Sequence, residues 1–362
     1  MKKSAKLICA ALVAVATISV ASAKGSKNGV KMEKLKLEKK WDKTFALSDT
    51  VSHQKVTFTN HFGITLAADM YTPKAAPAGG KFAAIAVSGP FGAVKEQASG
   101  LYAHEMAKRG YLTIAFDPSF TGESGGQPRY MNSPDINTED FQAAVDFLSN
   151  QPNVDAERIG IIGICGWGGF ALNTAAIDTR VKATAVMTMY DMSRMAAGGY
   201  NDANDNEESR HNARVAVNKA RTECFAKGEY PTVGGLPDKR PEGDNFFSQY
   251  WDYYKTERGY HPRSLNSNMG WALTTDTSLM NTRILRYTNE IRNAVLIVHG
   301  EKAHSRYMGE TAYNDMVNGS KYAANKELLI IPNATHCDLY DGGSGNYIPW
   351  EKLEEFFEGN LK

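Results

Sequence analysis

Short, uninterrupted apolar runs that alternate with helix-like segments constrain this chain more than any other feature. Residues 82–87, 112–116, 158–164, 183–189, 294–298 and 327–331 read as strands, several of them too continuous in apolar character to keep one face in water. Residues 100–109, 134–150, 168–177, 307–316 and 350–360 carry helical spacing between and after them. Alternation of this kind demands crossover connections, so the expected architecture is α/β, a mostly parallel central sheet flanked by helices. A hairpin precedes it, since residues 55–60 and 65–72 flank His61-Phe62-Gly63-Ile64, a turn containing glycine. The rhythm breaks over residues 192–292, which are polar and aromatic and show no clear strand. About a hundred residues is too long for a structureless loop, and the stretch reads as a mainly helical insertion.

The N-terminus departs from this pattern. Lys2, Lys3 and Lys6 precede an apolar run over 7–20 that ends in Ala21-Ser22-Ala23. The run is shorter than the roughly 20 residues a bilayer span requires, and a small-x-small site follows it, so it reads as a signal peptide cleaved after Ala23. Export to the periplasm or beyond is expected, with no stable membrane insertion after cleavage. Residues 24–51 are Lys-rich and weakly periodic, a leader that drapes over the domain or stays mobile. The organisation is then residues 1–23 signal, 24–51 leader, 52–191 and 293–362 core, and 192–292 insertion.

Charge supplies an exclusion. Lys+Arg 41 against Asp+Glu 40 leaves +1, with no bulk field to favour nucleic acid. Cysteine usage is more informative: of four, Cys9 leaves with the signal, and Cys165, Cys224 and Cys337 remain. An odd number leaves at least one thiol free in an oxidising compartment, which invites a chemical explanation.

Gly163-Ile164-Cys165-Gly166-Trp167-Gly168-Gly169 lies where a buried strand turns into a small-residue helix. A nucleophile held there needs a strained backbone tolerated by small neighbours, and the positive end of the helix favours thiolate. The alternative is a buried packing cysteine in an ordinary turn. A thiol nucleophile wants an imidazole to take its proton and return it to the leaving group. Of eight histidines, His336 alone follows the last strand and precedes the terminal helix, the chain order nucleophile, acid, histidine. No His, Cys or Asp cluster has metal-ligand spacing, and this chemistry requires no cofactor.

These residues together resemble an α/β-hydrolase, and the cysteine in the elbow is similar to the dienelactone-hydrolase-like branch. The supporting motifs are Ser88-Gly89-Pro90-Phe91-Gly92 after the third strand, Phe116-Asp117-Pro118-Ser119 after the fourth, the elbow, His299-Gly300-Glu301-Lys302-Ala303, and His336. The resemblance implies an oxyanion hole made by the Gly166 amide and one from the loop after the third strand. Pro90 has no N–H, so Phe91 is the nearer choice. It also implies an acid to orient the histidine, but Ala303 stands where the family has aspartate. Glu301 and Asp191 are the two replacements, both at strand ends on the catalytic edge. Trp167 occupies a place where the family has a small residue, so either the turn is reshaped or the indole points away. Trp167 and His304 are the candidates for substrate contact, and Ser305 for lining the site. The insertion falls where this fold carries its cap. The expected activity is hydrolysis of a small-molecule carboxylic ester, lactone or thioester through a Cys165 acyl-enzyme, and the alternative is a non-catalytic ligand-binding protein on the same fold.

Overall fold

The computed structural model describes residues 32–361; the expected signal peptide and residues 24–31 of the leader lie outside them. Two antiparallel strands open the fold, β1 (Val51–Thr59) and β2 (Thr65–Pro73). There follow β3 (Phe82–Ser88), α1 (Ala98–Lys108), β4 (Leu112–Phe116), α2 (Pro134–Ser149), β5 (Val154–Ile164), α3 (Gly166–Ile177) and β6 (Val181–Met187). The stretch 192–292 holds α4 (Met192–Gly198), α5 (Glu207–Lys227), α6 (Phe246–Tyr254), the short α7 (Thr277–Met280), and two paired two-residue strands, β7 (Thr232–Val233) and β8 (Trp271–Ala272). The chain then returns through β9 (Ala294–Gly300), α8 (Arg306–Val317), β10 (Lys326–Ile331), the one-turn α9 (Asp338–Asp341) and α10 (Trp350–Asn360).

Eight strands form one sheet in the order β1-β2-β4-β3-β5-β6-β9-β10. Only the β1/β2 and β2/β4 pairings are antiparallel; the rest are parallel. Along β3 the side chains alternate between two cores, Ala83, Ile85 and Val87 in one and Phe82, Ala84 and Ala86 in the other. Helices cover both faces, which is why the strand reads as a single apolar run rather than as alternation. Parallel strands share one carboxyl edge, so β3, β5, β6, β9 and β10 deliver their C-terminal loops to a common rim, where α/β proteins bind ligands.

Residues 32–50 form no helix or strand but are fastened to the domain. The Glu33 amide donates to Thr65 Oγ1, the Thr44 amide to the Glu96 carbonyl, and the Ser48 amide to His104 Nε2. Beneath them lies a buried ionic cluster in which Lys95 Nζ is bonded to Glu96, Asp117 and Glu123 at 2.7, 2.8 and 2.6 Å. Asp117 also accepts from the Lys95 and Glu123 amides, so its carboxylate is spent on holding the β4 loop. Among the described residues no helix is long and apolar enough to cross a membrane.

Candidate active site

Cys165 is the residue between β5 and α3, with φ 57° and ψ −127°. A non-glycine residue there stores on the order of 1–3 kcal/mol and persists only when its surroundings fix it. Its amide donates to the Met187 carbonyl, and its own carbonyl accepts from the Gly168 and Tyr190 amides. The neighbours must be small: a Cβ on Gly163 would lie 2.3 Å from the Trp167 carbonyl oxygen, and one on Gly168 2.5 Å from Met189 Cβ. The strain lifts the Cys165 side chain above the rim of the sheet while α3 begins beneath it.

The amides of Phe91 and Gly166 both face the Cys165 sulfur and favour its charged form. The sequence-based pair for the oxyanion hole is thus brought together around the expected nucleophile. Residues of the 192–292 segment hold the Phe91 loop in place. Asn266 Nδ2 donates to the Phe91 carbonyl and Ser264 Oγ to that of Gly92, while the Trp271 ring stacks on Phe91 at 4.1 Å.

His336, in the loop between β10 and α9, is fully buried 171 residues after Cys165 in a box of rings. Tyr190, Tyr250 and Tyr340 present edges to it at 5.3–5.5 Å, and His304 lies at 4.6 Å. His304 itself stacks on Phe246 of α6 and shares a hydrogen bond with Tyr250 Oη at 3.3 Å. His304 therefore packs directly against His336.

Three expectations need correction. Neither Glu301 nor Asp191 reaches His336. Glu301 is exposed and accepts the Asn333 amide, and Asp191 is the N-cap of α4, accepting from the Ser193 and Arg194 amides and from Ser193 Oγ. In their place Thr188 Oγ1 and Ser305 Oγ each lie 2.8 Å from His336 Nδ1. Thr188 has φ 46°, an outlier for a β-branched residue, so the turn after β6 is strained in order to aim a hydroxyl at the ring. Trp167 is the second correction. Its indole points away from the rim into the opposite core, packed on Phe116, Phe141 and Phe170 at 5.8, 5.5 and 5.1 Å, and it touches no substrate space. Of the two arrangements left open by the sequence, the indole points away, which lets a large ring follow the nucleophile without reshaping the elbow.

The third concerns protonation. The thiol was expected to be drawn toward thiolate by the helix. Burial instead pushes Cys165 up from the usual thiol value, against the pull of Tyr340, the two amides and Tyr250. Burial, with His304 and His299 nearby, holds His336 well below the ordinary imidazole value. Burial thus favours thiol and neutral imidazole, because a desolvated site penalises both charges. Cys165, Cys224 and Cys337 are all free, and all buried.

Sequence reasoning missed Tyr340 and Thr188. Tyr340 had a signal, since it stands four residues after His336 in a segment that forms a helical turn; Thr188 had none.

A mostly parallel eight-stranded sheet with a strained residue after its fifth strand, two amides facing that residue's side chain and a histidine after the last strand defines an α/β-hydrolase. The family described as X-Pro dipeptidyl-peptidase (S15 family) matches residues 63–337, and the chain belongs to that family. The chain is 50% identical over 352 residues to the uncharacterized protein PA2218 of Pseudomonas aeruginosa, covering 97% of this chain and 92% of that one. The crystal structure of PA2218 superposes with a TM-score of 0.86 at 52% identity, over 91% of this chain and all of the other. The uncharacterized YcjY of Escherichia coli is 32% identical over 85% of this chain and 99% of its own length. A thiohydrolase of Aspergillus aculeatus, aneE, is 34% identical over 131 residues, 36% of this chain and 40% of that protein. The likeness to dienelactone hydrolases is carried no further than the shared fold.

Proposed function

We propose that this hydrolase cleaves carboxylic esters, lactones and thioesters through a covalent Cys165 acyl-enzyme, with His336 as base and then acid. The observation that carries the reading is Cys165 itself: a thiol at φ 57° facing the amides of Phe91 and Gly166. Those two N–H groups would hold the oxygen of the attacked carbonyl as negative charge develops there. The walls around the thiol are Tyr190, Tyr250 and Tyr340, with His304 beside them, which suits an uncharged acyl group. Nearby carboxylates are engaged elsewhere: Asp191 in its cap, Asp338 on the Thr335 amide and hydroxyl, Asp341 on Arg258. A free peptide N-terminus would want such a carboxylate, so the dipeptidyl-peptidase activity in the family's description is the less favoured reading.

Thioesters are the preferred members of the substrate class. Attack by Cys165 on a thioester exchanges one C–S bond for another and expels a good leaving group. Attack on an oxygen ester makes the weaker acyl bond and must expel an alkoxide, a poorer leaving group than a thiolate and one that needs its proton in the same step. The partial likeness to a protein named thiohydrolase points the same way. From the first 23 residues we further infer that the enzyme works after export.

The experiment is a matched panel: an acyl thioester, the ethyl ester of the same acid, and an X-Pro p-nitroanilide. Thioester turnover is expected at a kcat/KM at least about tenfold above the ester, with the anilide inert. Turnover of the anilide alone would establish the peptidase reading, and an inert panel would leave a binding protein.

A further inference from the structure

The nitrogen of His336 that would serve a thiol directly is already engaged. Nδ1 faces Thr188 and Ser305, and Nε2 shares a hydrogen bond with Tyr340 Oη at 2.9 Å. Among the described residues Cys165 makes no hydrogen bond to His336. The Tyr340 hydroxyl bonds the imidazole and, like that of Tyr250, is near enough to Cys165 to favour its charged form, although neither makes a hydrogen bond to the sulfur among the described residues.

Its placement is fixed from several sides. Tyr340 is fully buried in α9, four residues after His336, with its ring edge-on to Tyr253 at 5.0 Å and to Tyr254 at 6.1 Å. Both partners come from α6, in the segment that interrupts the β/α alternation. Tyr102 of α1 donates its hydroxyl to the Leu339 carbonyl at 2.7 Å and pins the same turn. The hydroxyl therefore cannot swing far without unpacking α9.

We propose that Tyr340 is a catalytic residue that carries the proton between Cys165 and His336, which extends the acyl-enzyme reading above and rests on it. In the resting enzyme Nδ1–H of His336 donates to a hydroxyl of Thr188 or Ser305, and Tyr340 Oη–H donates to Nε2. As Sγ attacks the substrate carbonyl carbon, the thiol proton passes to Tyr340 Oη while the Tyr340 proton passes to Nε2. The S–C bond forms, the carbonyl π pair moves to oxygen beside the Phe91 and Gly166 amides, and His336 becomes imidazolium. When that pair returns, the bond to the leaving group breaks, and the leaving atom takes a proton from Tyr340 as imidazolium restores it. Water then cleaves the acyl-enzyme by the same transfers in the same order, and the departing sulfur ends as thiol. Burial raises the Tyr340 phenol well above its ordinary value, so it gains and loses a proton together and never rests as phenolate.

A relay predicts that Tyr340 and His336 act as one unit. Tyr340→Phe keeps the ring and removes the hydroxyl; it should lower kcat for the acyl thioester about 10²-fold with KM within about threefold. In Tyr340→Phe, adding His336→Ala should cost little more, because the singles and the double interrupt the same transfer. Losses that multiply, or a Tyr340→Phe enzyme as fast as wild type, would overturn the relay and restore a direct Cys165–His336 transfer. Should Tyr340→Phe fold poorly, 3,5-difluorotyrosine at position 340 keeps the shape and makes the phenol more acidic. The pH profile of kcat/KM then shifts for a relay and stays put for a packing residue. Cys165→Ala is run beside these: if it turns over as wild type, the acyl-enzyme reading has failed; if it is dead while Tyr340→Phe is fully active, only the relay has.

Discussion

Cys165→Ala is expected to lower kcat for the acyl thioester by on the order of 10⁴-fold or more while leaving the fold intact. Alanine keeps the Cβ and the backbone bonds to Met187, Gly168 and Tyr190, so the elbow loses only its sulfur. What survives is the pull of the Phe91 and Gly166 amides on a bound carbonyl, which alone yields slow attack by water. Cys165→Ser should be nearly as inactive, and this distinguishes the site from the serine hydrolases of the same fold. A serine hydroxyl is far less acidic than a thiol and needs a base strengthened by a carboxylate on Nδ1. His336 has only the hydroxyls of Thr188 and Ser305 there, which fix the ring's orientation without stabilising its charge. The measurement is steady-state kinetics on the three proteins with thermal melts alongside. A Cys165→Ser enzyme within tenfold of wild type would show that His336 is a stronger base than its partners allow.

Acidification should unfold the protein by protonating histidines it keeps neutral. His299, on β9 beside Gly309, is held near 3 by burial with Arg306 and His304 adding to it, and His304 near 4 by burial. His336 lies well below 6.5, again from burial. The unfolded chain titrates these groups near 6.5. Their folded values are depressed, so between about 6.5 and 4 the unfolded chain binds protons that the native one refuses. The stability they contribute is present above the unfolded value and falls away as pH drops. From pH 7 to pH 5 His299 and His304 each cost about 2 kcal/mol, about 4 together, and His336 acts in the same direction. Asp140 acts in the opposite sense. Burial pushes it up to about 6 despite its bonds to Ser119, Asn60 and Asn137, so acid relieves a native penalty and returns about 1 kcal/mol. The net expectation is a loss of several kcal/mol, read as a falling urea midpoint at pH 7, 6 and 5. His304→Phe removes one of these protons and should flatten that slope. A midpoint independent of pH over this range would contradict the buried neutral cluster.

Much of the scaffold was legible because parallel strands buried on both faces leave a mark that local reasoning can read. The runs near residues 82–87, 112–116 and 294–298 needed no partner information, and the observed strands differ from them by at most two residues at an end. The elbow was legible for the same reason: a strand, one reactive residue and a row of glycines form a local pattern. Phe91 followed from a single chemical fact, the missing N–H of Pro90. The surroundings of His336 were not legible. Family resemblance sought a carboxylate at the ends of β6 or β9, whereas two hydroxyls come from Thr188 and Ser305, 117 residues apart and joined only by the register of β6 on β9. The direction of the Cys165 shift was also hidden. A helix N-terminus can be read from sequence, but desolvation depends on how tightly Tyr190, Tyr250 and Tyr340 close over the thiol, and Tyr250 arrives from a segment with no strand pattern to place it.

The most direct test of a Cys165 acyl-enzyme is rapid-quench intact mass spectrometry after mixing the enzyme with an acyl thioester, followed by peptide mapping. One acyl group per chain, confined to Cys165, absent from Cys165→Ala and formed more slowly in His336→Ala, is the expected result. Acyl groups spread over Cys165, Cys224 and Cys337 alike, or turnover with no acylated cysteine at all, would contradict it.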